Sequence, residues 1–170
     1  MCKDFLLTRR SVKSYLDKEV SDELIESVVA AGLNAPSGMN KQLTKIVVIK
    51  DKDLINEIAK LNAGVMGMGR DPFYNAPVLI VVFASKETYT YKEDGSLVMG
   101  NLLNQAHLLG LGACWIHRAY ESFETPEGKK LKEKFNLSDD YVGVGNCILG
   151  YTKDAPQDKE RKPDRVIWVK

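Results

Sequence analysis

Between Ser21 and Asn34 the apolar residues Leu24, Ile25, Val28, Val29 and Leu33 recur at helical spacing, Ser21 can cap the first turn, and Asp22 and Glu23 suit the positive end of the dipole. This predicts an amphipathic helix. Lys45–Lys50 follows as a short β-branched run, and Asp53–Leu61 returns to helical spacing through Leu54, Ile58 and Leu61. Pro77–Phe83 is continuously apolar and of strand length, the pattern of a central strand covered on both faces. The stretch Ser96–Leu109 is apolar around most of its circumference, as in a helix buried in a core or a subunit interface. After Gly110-Leu111-Gly112, Ala113–Ile116 reads as a strand. Thr125-Pro126-Glu127 supplies a cap, a first-turn proline and an acid for a helix running to Phe135. Tyr141–Tyr151 is strand-like, Asp154–Asp164 is a polar loop with two prolines, and Arg165–Lys170 is a strand without an evident partner. With no regular βαβ period, repeat or linker, the pattern predicts one α+β domain over residues 1–170.

Composition narrows the class. With 170 residues, 44% hydrophobic and 28% charged, the chain is neither collagenous, mucin-like nor a disordered acidic tail. Twenty-four basic against 23 acidic residues leave a net charge of +1, so nothing steers the molecule toward nucleic acid or a membrane, and any anion site must be local. Cys2, Cys114 and Cys147 form no C-x-x-C pair, which argues against a disulfide framework or structural zinc and for a reducing compartment. Charges follow Met1 almost at once and no apolar run approaches the ~20 residues of a membrane span, so a cytoplasmic protein is expected.

Local chemistry concentrates in a few places. Thr8-Arg9-Arg10-Ser11-Val12-Lys13 holds three cations and two hydroxyls; in an extended chain Arg9, Ser11 and Lys13 point one way and Arg10 and Val12 the other. Asn34–Gln42 ends the first helix with Pro36-Ser37-Gly38, a turn, and then Asn40 and Gln42, whose carboxamides can offer donor and acceptor together to a ring edge. Lys159 and Arg161 repeat the i, i+2 spacing of cations. Gly64–Gly69 has glycines in the wrong order for the dinucleotide fingerprint and reads as a flexible loop; Gly128-Lys129-Lys130 lacks the rest of a P-loop; no G-x-S-x-G occurs. His107 and His117 are too few for a metal site, His107 fitting a core or interface and His117 a strand end where ligands bind.

In this order, Arg9-Arg10-Ser11-Val12-Lys13, Ala35–Gln42, Ala76-Pro77, Gly110–Ile116 and Gly150-Tyr151 resemble the FMN-dependent nitroreductase family, in its compact branch. The resemblance implies a mainly antiparallel central sheet flanked by helices, in an intertwined homodimer that exchanges its C-terminal strand and binds FMN at the interface. It implies that Arg9, Arg10, Ser11 and Lys13 meet the phosphate, ribityl chain and ring edge, that Lys159 and Arg161 complete the phosphate clamp, and that Ile116 and His117 lie near N5. Pro36, Ser37, Gly38, Asn40 and Gln42 would come from the other subunit, and the helix 96–109 would form the dimer core. The implied activity is ping-pong transfer from NADH or NADPH through the flavin to a nitroaromatic, quinone or similar acceptor, with no catalytic side chain and no metal. A non-catalytic flavin-binding or redox-sensing module, with Cys114 as one option, and a reductive dehalogenase or flavin-fragmenting relative stay open as alternatives. Where many members continue Asn-x-Gln into Pro-Trp, this chain has Leu43-Thr44, and Ser85–Asp94 is a candidate lid without a matching signature.

Overall fold

The computed structural model describes residues 5–158 and 160–170. In chain order the elements are α1 (Phe5–Thr8), α2 (Asp22–Leu33), a 3-10 turn (Gly38–Asn40), β1 (Thr44–Ile49), α3 (Lys52–Met66), β2 (Val78–Ser85), α4 (Tyr91–Leu108), β3 (Gly112–Ile116), α5 (Ala119–Glu124), α6 (Pro126–Lys134) and β4 (Tyr141–Gly150). The apolar run read as a doubly covered strand is β2, and all eight of its residues are buried. Each fully buried Val, Leu, Ile or Phe is worth about 1.5–3 kcal/mol over exposure, so β2 anchors the molecule. The strands lie in the order β1-β2-β4-β3, every neighbouring pair antiparallel. This is the α+β architecture anticipated, an antiparallel sheet flanked by helices.

Alternation along β2 builds the two layers. Leu79, Val81 and Phe83 face one core, packed with Ile58 of α3, Phe123 of α5 and Leu131 of α6. Val78, Ile80 and Val82 face the other, with Val28 of α2 and Met99 and Leu102 of α4. The β2–β4 register passes from Val82↔Gly145 to Phe83↔Gly143, leaving Val144 as a bulged extra residue. That residue packs on Gly95 of α4, where an added Cβ would lie 2.5 Å from Val144 Cγ2.

Three expectations are corrected. Helix α3 runs past Leu61 to Met66, so Gly64 is helical; Gly67, at φ 63°, supplies the left-handed cap. The 64–69 stretch is therefore half helix rather than a flexible loop. The expected lid is a tight connection, with Thr88 and Asp94 buried and residues 91–94 already in the first turn of α4. Arg165–Lys170 forms no strand: the tail is irregular, and Val166, Ile167, Trp168 and Val169 are 67–93% exposed. Strand formation needs a neighbouring ladder, and among the described residues this segment pairs with none. The outer edge of β1 is likewise unpaired among the described residues. Helices α1 and α5 add to the predicted elements, being too short to show a period in the sequence.

Candidate functional site

Edge strand β3 carries a cleft of about 400 Å³, lined by Cys114, Trp115, Ile116 and His117 from the strand end, Ser11 and Lys13 from the N-terminal segment, and Met66, Met68, Pro72 and Tyr74. The segment 11–16 reaches β3 because Val12 is apolar and Gly112 has no Cβ. The Val12 N–H donates to the Ala113 carbonyl at 3.1 Å, and a Cβ on Gly112 would come within 2.8 Å of Val12 Cγ1. Val12 is buried while Ser11 and Lys13 turn outward into the cleft, the alternation of an extended chain. Trp115 lies against Gly145, where a Cβ would be 2.7 Å from the indole. Lys13 Nζ stands 5.7 Å, and Arg70 Cζ 6.0 Å, from the centre of the Tyr74 ring.

Beside this cleft sits the basic cluster. Arg9 Nη1 is buried and finds no hydrogen-bond partner among the described residues. A guanidinium nitrogen so placed is matched to an anion, since a buried donor left unpaired costs about 1–3 kcal/mol. Arg10 is differently employed: although its Nε is also buried without a partner among the described residues, its terminal nitrogens donate to the carbonyls of Leu7 at 2.7 Å and Arg9 at 2.9 Å and pair with Asp158. That ion pair, together with Ser14 Oγ to Asp154 Oδ2 at 2.7 Å and Lys153 N–H to the Ser14 carbonyl at 3.1 Å, stitches the start of the tail to the basic segment. Arg161 follows three residues after Asp158 and is exposed. Lys159 lies outside the described residues.

Pro36, Ser37 and Gln42 line a different and smaller cavity, about 190 Å³, shared with Asp94, Thr44 and Val98, and no residue is common to the two. In this turn Met39, Asn40 and Gln42 all take left-handed backbone, φ 51–53°, at a cost of about 1 kcal/mol or more each. Ser37 Oγ accepts from the Gln42 N–H at 3.0 Å, and Gln42 Nε2 donates to Asn40 Oδ1 at 2.9 Å. One chain thus holds two separate clusters, Ser11, Lys13, Ile116 and His117 about one cavity and Pro36, Ser37, Gly38, Asn40 and Gln42 about the other.

Several contributors lie beyond what the sequence showed. Met66, Met68, Pro72 and Tyr74 form an apolar wall, hidden because the glycines around the methionines read as a loop. Asn62 is fully buried on α3 and donates to the His117 carbonyl at 2.9 Å, fixing the turn in which Arg118 adopts φ 71°. Burial pushes the Cys114 thiol up, against the lowering influence of the Ser11 hydrogen bond and the charges of Lys13 and Arg9. That thiol therefore stays protonated near neutrality.

Comparisons with known proteins follow the same lines. The nitroreductase family model matches residues 6–67 and 66–151. An Archaeoglobus fulgidus protein provisionally named NADH dehydrogenase/NAD(P)H nitroreductase is 30% identical over 97% of this chain and 95% of its own. The FMN reductase (NAD(P)H) of Bacillus subtilis is 22% identical over 95% of this chain and 70% of its own. Among solved structures, an FMN-dependent nitroreductase of Clostridium difficile superposes with a TM-score of 0.82 at 29% identity, covering 98% of each chain. A Bacteroides fragilis nitroreductase with bound FMN superposes at 0.90, with 20% identity over 99% of this chain and 100% of its own, a likeness of fold.

Proposed function

The chain belongs to the nitroreductase family, and from that premise we propose that it is an FMN-dependent NAD(P)H oxidoreductase working as a homodimer with two shared flavin sites. The observation that carries the reading is the buried, unpartnered Nη1 of the half-buried Arg9 beside a cleft into which Ser11 and Lys13 project. These residues fit a phosphorylated flavin: a cation for the phosphate, a hydroxyl and an ammonium toward the rest, and an apolar wall for a ring.

Bound there, FMN would supply the redox chemistry, taking hydride from NADH or NADPH and passing electrons, in ping-pong order, to a nitroaromatic, quinone or similar acceptor. Arg9 would hold the phosphate, joined by Arg161 and Lys159 from the tail that Arg10 tethers through Asp158. Ser11 would bear on the ribityl chain. Lys13 would place positive charge at the ring edge, favouring the reduced, anionic form. Ile116 and His117 would meet the ring with backbone groups whose position Asn62 fixes. Met66, Met68 and Tyr74 would exclude water from one side.

A second subunit completes the arrangement. The turn Pro36-Ser37-Gly38 with Asn40 and Gln42 shares no cavity with the basic half-site in its own chain, so it is assigned to the partner's flavin. The exposed apolar tail and the unpaired outer edge of β1 support exchange of the C-terminal strand, and the exposed Leu97 and Leu108 support an α4 contact between subunits. Purified protein should show a flavin absorbance spectrum that bleaches when NADH or NADPH is added anaerobically. A colourless monomer that takes up no FMN on reconstitution would overturn the reading.

A further inference from the structure

The turn from Pro36 to Gln42 is gripped from behind by α4. Asp94, 3% exposed, accepts from the Gly38 N–H at 2.9 Å through Oδ1 and from the Thr90 hydroxyl at 3.1 Å through Oδ2. Thr90 Oγ1 stands 2.9 Å from Thr88 Oγ1 in turn. Gly38 is not among the left-handed residues; its glycine is demanded by approach, because a Cβ there would collide with Thr90 Oγ1. Further along, Asn101 Nδ2 donates to the Ala31 carbonyl at 2.9 Å and Gln105 Nε2 to Ser27 Oγ at 3.0 Å. Asp94, Asn101 and Gln105 stand at i, i+7 and i+11, one stripe of the helix, and together they hold both α2 and the turn that follows it.

A carboxylate is costly to bury unless its oxygens are met by donors. Here the donors are a hydroxyl and the N–H of the turn itself, with the positive end of α4 adding to them. The three left-handed residues next to Gly38 would relax toward cheaper backbone if that N–H were released. The carboxylate thus decides where the turn stands.

We propose that Asp94, buttressed by Thr90, is a positioning residue that presents the Pro36–Gln42 turn to the flavin of the partner subunit. The inference rests on the shared-site reading above. It divides labour within one chain: Arg9 serves that chain's own cofactor and Asp94 serves the other's.

The test uses the whole protein reconstituted with FMN. D94A should weaken FMN binding at least tenfold. D94N should stay within threefold of wild type, because an amide oxygen still accepts from Gly38 and its nitrogen can donate to Thr90. Heterodimers carrying R9A on one chain and D94A on the other, purified through two tags, should hold one FMN per dimer, since one site then has both defects and the other neither. Wild-type retention in D94A or a D94N as weak as D94A would each overturn the proposal while leaving the shared-site reading intact; heterodimers without FMN would overturn both. If D94A does not fold, T90V carries the test, with an expected threefold or greater loss; unchanged binding overturns the proposal. Wild-type protein that binds no FMN would remove the shared-site reading and this inference together.

Discussion

Arg9 and Arg70 make the contrast by which the basic half-site is judged. Arg9 offers a buried nitrogen with no protein partner among the described residues, whereas Arg70 is exposed and lies over the face of Tyr74. A charge-assisted hydrogen bond is worth about 1.5–3 kcal/mol, so R9A should raise the Kd for FMN by roughly tenfold to a hundredfold. R70A should change it by less than about threefold; equal losses in an ultrafiltration assay would undo the assignment. Alternation made Ser11 and Lys13 legible in the sequence, because an extended segment has only two sides. Asp94, Asn62 and the Met66–Met68 wall were not, since each acquires its role from residues far off in the chain. Burial also gives the molecule a pH signature. It lifts the Cys147 thiol from 9.0 to about 12, so between those values the unfolded chain releases a proton that the native chain keeps. This contribution is intact below about pH 9 and is lost as pH rises toward 12, at about 1.4 kcal/mol per pH unit within the window. Tyr15, whose phenol burial also pushes up, acts in the same sense. Urea denaturation from pH 8 to 11 should therefore show falling stability, with a shallower slope in C147A; an unchanged slope would argue against it.

Among the elements, two helical glycines with open surroundings separate what a single chain tolerates from what an assembly tolerates. Gly64 in α3 and Gly100 in α4 would each accept a Cβ with nothing within 4 Å. Gly64→Ala should stabilise by about 0.5–1 kcal/mol through helix propensity, seen as a higher Tm. Gly100→Ala should instead raise the dimer dissociation constant severalfold if the outer face of α4 packs on its copy; a tightened or unchanged dimer in analytical ultracentrifugation would place the interface elsewhere. Periodicity made α2, β1, β2, β3, α6 and β4 readable to within a few residues, because each buries a face at its own period. It failed at the end of α3, where Gly64 looked like punctuation although the left-handed turn belongs to Gly67. It failed at the start of α4, whose first turn is polar and is fixed by the Asp94 carboxylate accepting from the Gly38 N–H and the Thr90 hydroxyl.

At the scale of the whole molecule the C-terminal segment is the test of assembly. Its apolar, β-branched run was legible in Val166–Val169, but within the described chain the segment forms no strand, and the proposed exchange would need a sheet edge outside it. Deleting residues 165–170 should convert the proposed dimer to monomer in light scattering and reduce FMN occupancy by at least tenfold; a truncated protein that stays dimeric and yellow would show that the tail is dispensable. The chain's two tryptophans happen to stand at the two places that matter, Trp115 half-buried against Gly145 in the cleft and Trp168 exposed by 81% in the free tail. On the proposed arrangement the molecule would carry its own two-channel optical reporter: energy transfer to a flavin bound in the cleft would dim Trp115, while the emission colour of Trp168 would track docking of the tail. With W115F and W168F to separate the channels, one dilution series would reveal whether cofactor departs before or after the subunits part.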